Sequence, residues 1–342
     1  MTVFKEEDNS ALAEFGREIV LTLAVPVLVQ GYAELVARFR NDHSLENAVK
    51  ESGIDSALSA EGPEMAALRK DNKELVTAAE KIAERHMTEA VRKQFPDHAV
   101  VGEEHGFTPG SDTRWVFDPV DGTSAMIRCA LADAFGLPYP APTPAFGITA
   151  GIVRGETAIV GIVVQLIPAA GELRIGDIWI GHSGIATNNG KPVHTTEAAI
   201  TLKETTLLCT VPQVMFNTAQ KWGGFQALME ATESCITDQN CIGFMRLLGN
   251  NTHIIYEADL AYHDVAALIP ILQGAGLTVT NAEGNPPRFP ETAIGTEFSI
   301  LATPAALHPL ALACIRKGVP AENNHFGKHA VIGKGYAQKF SA

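Results

Sequence analysis

Apolar positions recur every three to four residues over 11–39, the spacing of one or two amphipathic helices. Residues 41–66 turn polar and rich in Ser, Glu and Asn, which reads as a loop or a short helical excursion. A second helical pattern covers 74–95, with Thr77 placed as an N-cap, Glu80 three residues on as in a capping box, and Pro96 as the stop. Short apolar runs at 98–102 and 114–118 then predict strands. Residues 145–153, 157–166 and 173–181 predict successive strands of an antiparallel sheet, turning at Gly155 and Gly171. From 205 the pattern alternates. It reads as strand 205–211, helix 217–231, strand or turn 235–238, helix 240–250, strand 253–257, helix 264–274, strands 276–280 and 297–302, and helix 304–316. Alternation of this kind predicts layered α/β packing. A polar cluster near 194–204 divides an N-terminal α+β part, 1–200, from a C-terminal α/β part, 201–342. The tail from Gly318, rich in Gly, Lys and His, is expected to be loosely held.

Composition narrows the function classes. With 46% hydrophobic and 19% charged residues, the chain can bury a substantial core. Its net charge of −13 repels nucleic-acid phosphates, which argues against nucleic acid as a partner. The same charge would repel a phosphorylated metabolite unless the site carries cations of its own, a first hint of bound metal. The five cysteines (Cys129, Cys209, Cys235, Cys241 and Cys314) are odd in number and form no C-x-x-C pair, which predicts reduced, buried thiols in the cytoplasm. The most apolar early stretch, Ile19 to Val29, is too short to span a bilayer and is interrupted by Pro26. Acidic residues precede it, where a signal peptide would carry positive charge, so it reads as a buried helix face with no membrane partner.

The sharpest chemical feature is Asp118-Pro119-Val120-Asp121-Gly122-Thr123-Ser124, directly after the apolar run Trp115–Phe117. Two carboxylates three apart at a strand end can bind neighbouring hard cations, and the Val120 carbonyl can add an oxygen. Gly122 permits close backbone approach, and Gly122, Thr123 and Ser124 offer N–H groups and hydroxyls where a helix can begin, a favourable place for phosphate. An ordinary acidic turn has the same composition. Val101-Gly102-Glu103-Glu104-His105-Gly106 adds paired carboxylates or a solvated acidic loop. Tyr262-His263-Asp264 precedes an apolar helix, where Asp264 is a ligand or an N-cap.

Taken in order, Val76-Thr77-Ala78-Ala79-Glu80, Gly102-Glu103-Glu104, the 118–124 segment and Tyr262-His263-Asp264-Val265-Ala266-Ala267 resemble the inositol monophosphatase family of Mg²⁺-dependent, lithium-sensitive phosphatases over roughly 70–302. The resemblance implies a layered αβαβα sandwich, a homodimer and a small phosphate ester as substrate. It assigns one Mg²⁺ to Glu103, Asp118 and the Val120 carbonyl, and a second to Asp118, Asp121 and Asp264. A third, weaker metal would share Glu103. Mn²⁺ would be a substitute and Li⁺ an inhibitor. Thr123 and Glu80 would orient the attacking water, with Glu103 and Asp121 also in the catalytic set, and Gly122, Thr123 and Ser124 would bind phosphate.

Departures from the family pattern bear on the substrate. Glu80 stands where the family has Asp, which moves the carboxylate by about 1.5 Å and opens the reading of an impaired binding or regulatory homologue. His263 replaces an aromatic residue and reads as a pocket wall or an outer partner of Asp264. Ala125–Thr143 intervenes after the phosphate segment and reads as a lid, pocket wall or packing loop, with Arg128 available to an anionic substrate. Tyr256-Glu257-Ala258-Asp259-Leu260 and Thr210-Val211-Pro212-Gln213 look most like the histidinol-phosphate phosphatase branch, with Glu257 as a specificity residue. Asn240, before Cys241, stands where that branch has a substrate-reading Asp. Histidinol phosphate and inositol 1-phosphate lead, with sugar or nucleotide bisphosphates as alternatives.

Overall fold

A computed structural model describes residues 8–52, 63–139, 145–195, 201–248 and 253–318. Among the described residues four helices open the chain: α1 (Asn9–Ile19), α2 (Val25–Arg40), α3 (His43–Ser52) and α4 (Pro63–Gln94). A π-helical segment, Val20–Ala24, joins α1 to α2 without a break, and the Val25 N–H reaches back to the Val20 carbonyl. This wider turn directly precedes Pro26, which has no N–H to give to an α-helical bond. Pro26 therefore sits in the first turn of α2 and does not interrupt the apolar stretch. Asn9–Arg40 is long and apolar enough to cross a membrane. Here its buried side chains, among them Leu12, Leu28, Tyr32 and Phe39, belong to a core shared with the first sheet.

One other expectation is corrected in this region, and one is narrowed. Of the two readings of 41–66, a loop or a short helical excursion, His43–Ser52 takes the second, as α3, while 53–62 lies outside the described residues. Helix α4 begins at Pro63, a preorganised first position, and no Gly or Pro follows to stop it. Thr77 is consequently interior to the helix and caps nothing, so Glu80 is not part of a capping box.

The first sheet contains β1 (Ala99–Gly102), β2 (Gly106–Thr108), β3 (Thr113–Asp121), β4 (Gly147–Arg154), β5 (Thr157–Ala169), β6 (Glu172–His182), β7 (Ile185–Asn188) and β8 (Lys191–Pro192), in the order β2-β1-β3-β4-β5-β6-β7-β8. Helix α5 (Thr123–Phe135) leaves the end of β3. The second half holds β9 (Thr206–Leu208), α6 (Pro212–Met215), α7 (Ala219–Ala231), β10 (Ser234–Ile236), α8 (Asn240–Met245), β11 (His253–Leu260), α9 (Tyr262–Ala266), α10 (Leu268–Gly274), β12 (Thr278–Thr280), β13 (Phe298–Thr303) and α11 (His308–Lys317). Its strands form a mixed sheet, β10-β9-β11-β13-β12.

Strand alternation separates the layers. Trp115 and Phe117 of β3 share a core with Leu28 of α2 and Met87 of α4, whereas Val116 between them meets Val265 of α9 and Ile271 of α10 on the other face. Strand β11 divides likewise: Ile255 joins that middle core, while Tyr256 faces Phe225 of α7 and Ile315 of α11. The order is helices, sheet, helices, sheet, helices, the αβαβα sandwich expected. Of the stretch read as a lid, pocket wall or packing loop, the described helical part belongs to this packing. Ala125–Phe135 lies in α5, with Met126, Cys129 and Leu131 buried, and 140–144 lies outside the described residues.

Candidate metal and phosphate site

A β-bulge builds the centre of the site. Strand β3 pairs antiparallel with β4, Asp118 opposite Thr149 and Asp121 opposite Gly147, so three steps on β3 match two on β4. Residues three apart in a regular strand point to opposite faces. The extra residue turns Asp118 and Asp121 to the same side, and Pro119, within the bulge, has no N–H for the ladder to lose. Asp118 Oδ1 accepts the Val120 N–H at 2.9 Å, which fixes the turn. A matching irregularity in β11, between Glu257 and Leu260, leads the chain into α9. There Asp264 is the third helical residue, and its Oδ2 reaches back to accept the Ala261 N–H at 2.7 Å. Ala261 is the N-cap, so of the two readings of Asp264, ligand or N-cap, the second is not met.

Among the described residues, Asp118, Asp121 and Asp264 bring carboxylate oxygens within 4.8 Å of one another. Burial raises Asp118 well above the usual carboxylate range, and Glu103, Asp121 and Asp264 add to the shift. Asp121 is pushed to about 7, by burial first and Asp264 next, although the Cys241 N–H donates to its Oδ2 and opposes the shift. Asp264 is also raised by burial, while His263, with Nε2 3.5 Å from Asp264 Oδ1, pulls the other way. Hard oxygen donors whose negative charges repel one another suit a small divalent cation.

The glutamates surround this trio. Glu103 follows β1 and is exposed, with its N–H donating to the Phe117 carbonyl at 3.1 Å. Its carboxylate stands outside the trio yet lies close enough to raise Asp118. Glu104 is raised by burial and then by Glu103, against the pull of Lys81, whose Nζ is 4.0 Å away. Glu80 Oε1 lies 2.8 Å from the Thr123 hydroxyl, which also stands 3.1 Å from the Val120 carbonyl and donates to one of them at a time. The longer side chain thus still reaches Thr123. Burial, reinforced by Glu103 and Glu104, moves Glu80 to about 8, against the Thr123 hydrogen bond.

Gly122 starts α5 with φ +101°, left-handed backbone that favours glycine. A Cβ there would meet Asn240 Nδ2 at 2.7 Å and Phe146 Cβ at 2.8 Å. Asn240 donates to the Ala145 carbonyl at 2.7 Å, and both groups lie against Gly122. Ser124 is exposed at the start of the helix. Arg128 forms an ion pair with Asp238, so the cation read as open to an anionic substrate is already engaged. Glu257 is 1% exposed; its Oε1 accepts the Thr210 hydroxyl at 2.8 Å, and its Oε2 is buried without a partner. Burial moves it to about 8, with Asp121 and Asp264 adding to the rise.

Sequence reasoning passed over Glu84. It is buried and accepts hydrogen bonds from the loop that follows β1. The signal was an acid inside the apolar stripe Val76, Ala79, Ala83, Met87 and Val91 of α4, four residues after Glu80.

A sequence profile described as the inositol monophosphatase family matches residues 20–318. The bifunctional phosphatase IMPL2 of Arabidopsis thaliana, a chloroplastic protein, is 27% identical over 241 residues, 68% of this chain and 62% of that one. The chain therefore spans less than two thirds of that relative. The histidinol-phosphatase of Chlorobaculum parvum is 25% identical over 203 residues, 59% of this chain and 70% of the relative. Among solved structures, an inositol monophosphatase from Zymomonas mobilis superposes with a TM-score of 0.61 at 20% identity, covering 91% of this chain and all of that one, which shows the same fold. With the profile covering most of its length, the chain belongs to the inositol monophosphatase family.

Proposed function

We propose that this protein is a metal-dependent phosphomonoesterase acting on a small polar metabolite phosphate. The observation that carries the reading is the convergence of Asp118, Asp121 and Asp264 within 4.8 Å, beside the N-terminus of α5. Asp118, Asp121, Asp264, the Val120 carbonyl and the nearby Glu103 would hold Mg²⁺. Bound Mg²⁺ would offset the charge of the phosphoryl oxygens and make water at the site more acidic. The chain's own groups do the rest. N–H groups of the first turn of α5 are free of intrahelical partners and receive the phosphate oxygens at Gly122, Thr123 and Ser124. Thr123 orients the attacking water, whose oxygen bonds to phosphorus as the ester P–O bond breaks; Glu80, hydrogen-bonded to Thr123 and raised to about 8, takes up the water's proton and passes it to the leaving oxygen.

For the substrate, the support lies in Glu257. A buried carboxyl oxygen without a partner is costly, so a donor on the substrate, a hydroxyl or an ammonium, would satisfy it. That chemistry favours histidinol phosphate or inositol 1-phosphate. The name of the Chlorobaculum relative supports the first. The engagement of Arg128 by Asp238 weighs against bisphosphates. The test is phosphate release from a panel of histidinol phosphate, inositol 1-phosphate, fructose 1,6-bisphosphate, phosphoadenosine phosphate and an aryl phosphate, with Mg²⁺ or EDTA. Release that needs Mg²⁺ and disappears in Asp118→Asn supports the proposal. Release that survives both EDTA and Asp118→Asn rejects it.

A further inference from the structure

We infer that Glu84 is a positioning residue for the metal site, fixing the loop that presents Glu103 and Glu104; the inference rests on the metal-dependent reading above. Glu84 lies one turn beyond Glu80 on α4 and is 1% exposed. A buried carboxylate needs donors, and this one has three. Its Oε2 accepts the Glu104 N–H at 2.9 Å, and its Oε1 accepts the His105 N–H at 2.8 Å and lies 2.8 Å from His105 Nδ1. Both carboxylate oxygens are therefore committed to consecutive residues of the turn between β1 and β2.

Gly102 completes the fit from the other side. A Cβ at that position would lie 2.6 Å from Glu84 Oε2 and closer still to Oε1, so only glycine lets β1 end against this carboxylate. Residues four apart share a helix face, and α4 uses that spacing to hold two loops at once. Glu80 bonds Thr123 after β3, and Glu84 bonds the backbone after β1. Glu103 depends on this arrangement most. It is exposed, and its carboxylate lies outside the tight trio, so its station beside Asp118 is set by the path of the loop.

A purely structural cap would stabilise the fold without touching metal affinity, and Mg²⁺ titration calorimetry on the metal-free full-length protein separates the two. Glu84→Gln keeps the shape of the side chain but turns an NH₂ toward one of the loop N–H groups. Gly102→Ala displaces the same carboxylate while leaving α4 unchanged. Both are expected to weaken Mg²⁺ binding roughly 10- to 100-fold, the usual effect of losing a group that orients a ligand. The Mg²⁺ concentration for half-maximal phosphate release should rise in parallel, with kcat at saturating Mg²⁺ largely restored. Met87→Ala, on the same buried face, serves as the control: a lower melting temperature in EDTA with wild-type Mg²⁺ affinity. Should Glu84→Gln not fold, Gly102→Ala carries the test. The inference is overturned if the folded variants bind Mg²⁺ within about two-fold of wild type, or if Met87→Ala weakens it as much. Failure of the wild type itself to bind Mg²⁺ would overturn the metal-dependent reading as well.

Discussion

Asp121→Asn should make the metal-free protein more stable while abolishing its response to Mg²⁺. The trio's carboxylate oxygens lie within 4.8 Å, and two unit charges at that distance repel by about 3 kcal/mol at an effective dielectric near 20. Two such pairs involve Asp121. Part of that repulsion is already relieved by proton uptake, because Asp121 titrates at about 7 and Asp118 well above its usual range. The amide also accepts the Cys241 N–H less strongly than a carboxylate, a loss of roughly 1 kcal/mol. A net gain of about 2 kcal/mol at pH 8 remains, a melting temperature higher by ~2–5 °C in EDTA. At pH 5 the folded wild-type Asp121 is already protonated while the unfolded one is still ionised, so the gain should shrink without vanishing. Saturating Mg²⁺ at about 100 times its Kd should add near 2.7 kcal/mol to the wild type and nothing comparable to the variant. Thermal melts at both pH values, with EDTA and with Mg²⁺, give the answer. A variant that melts no higher than wild type in EDTA at pH 8, or that keeps the full Mg²⁺ shift, would refute the reasoning.

Other outcomes follow from neighbouring groups. Metal-free wild type should lose stability as pH rises: Asp121 has a folded pKa of about 7 against an ordinary 3.8, so the folded state binds more protons between those values. Its stabilising effect is complete below pH 3.8 and lost as pH climbs through 7, and Mg²⁺ should flatten the profile in denaturant melts. Glu80→Asp shortens the arm by about 1.5 Å and breaks the 2.8 Å bond to Thr123, so kcat should fall ~10- to 100-fold with Mg²⁺ affinity little changed in calorimetry. Gly122→Ala forces a Cβ into left-handed backbone against Asn240 and Phe146, and should lower stability by about 1–3 kcal/mol with loss of phosphate release. Glu257→Gln should raise KM for the natural substrate more than for a small aryl phosphate, a comparison steady-state kinetics makes directly.

The layered fold was legible because strands such as 114–118 and helices such as 219–231 carry their own periodicity. The order of acidic motifs likewise pointed to Asp118, Asp121 and Asp264. Their convergence followed only from the resemblance, because the residues alone do not show the bulge that forms when β3 pairs with β4, and spacing alone puts the two aspartates on opposite faces. A local capping signal misled at Thr77, where the continuity of α4 prevailed. Glu84 was hidden for a related reason. An acid on an apolar stripe looks like a lapse of pattern until the loop that satisfies it is folded against it. Arg128 seemed free because Asp238, its partner, lies 110 residues away.

The central claim is that three aspartates from the two halves of the chain form one metal centre, and anomalous diffraction from crystals soaked in Mn²⁺ tests it most directly. The account predicts a peak within ligand distance of Asp118, Asp121 and Asp264, absent in Asp118→Asn crystals. Ordered Mn²⁺ elsewhere with none at the trio, or an undiminished peak in the variant, would contradict it.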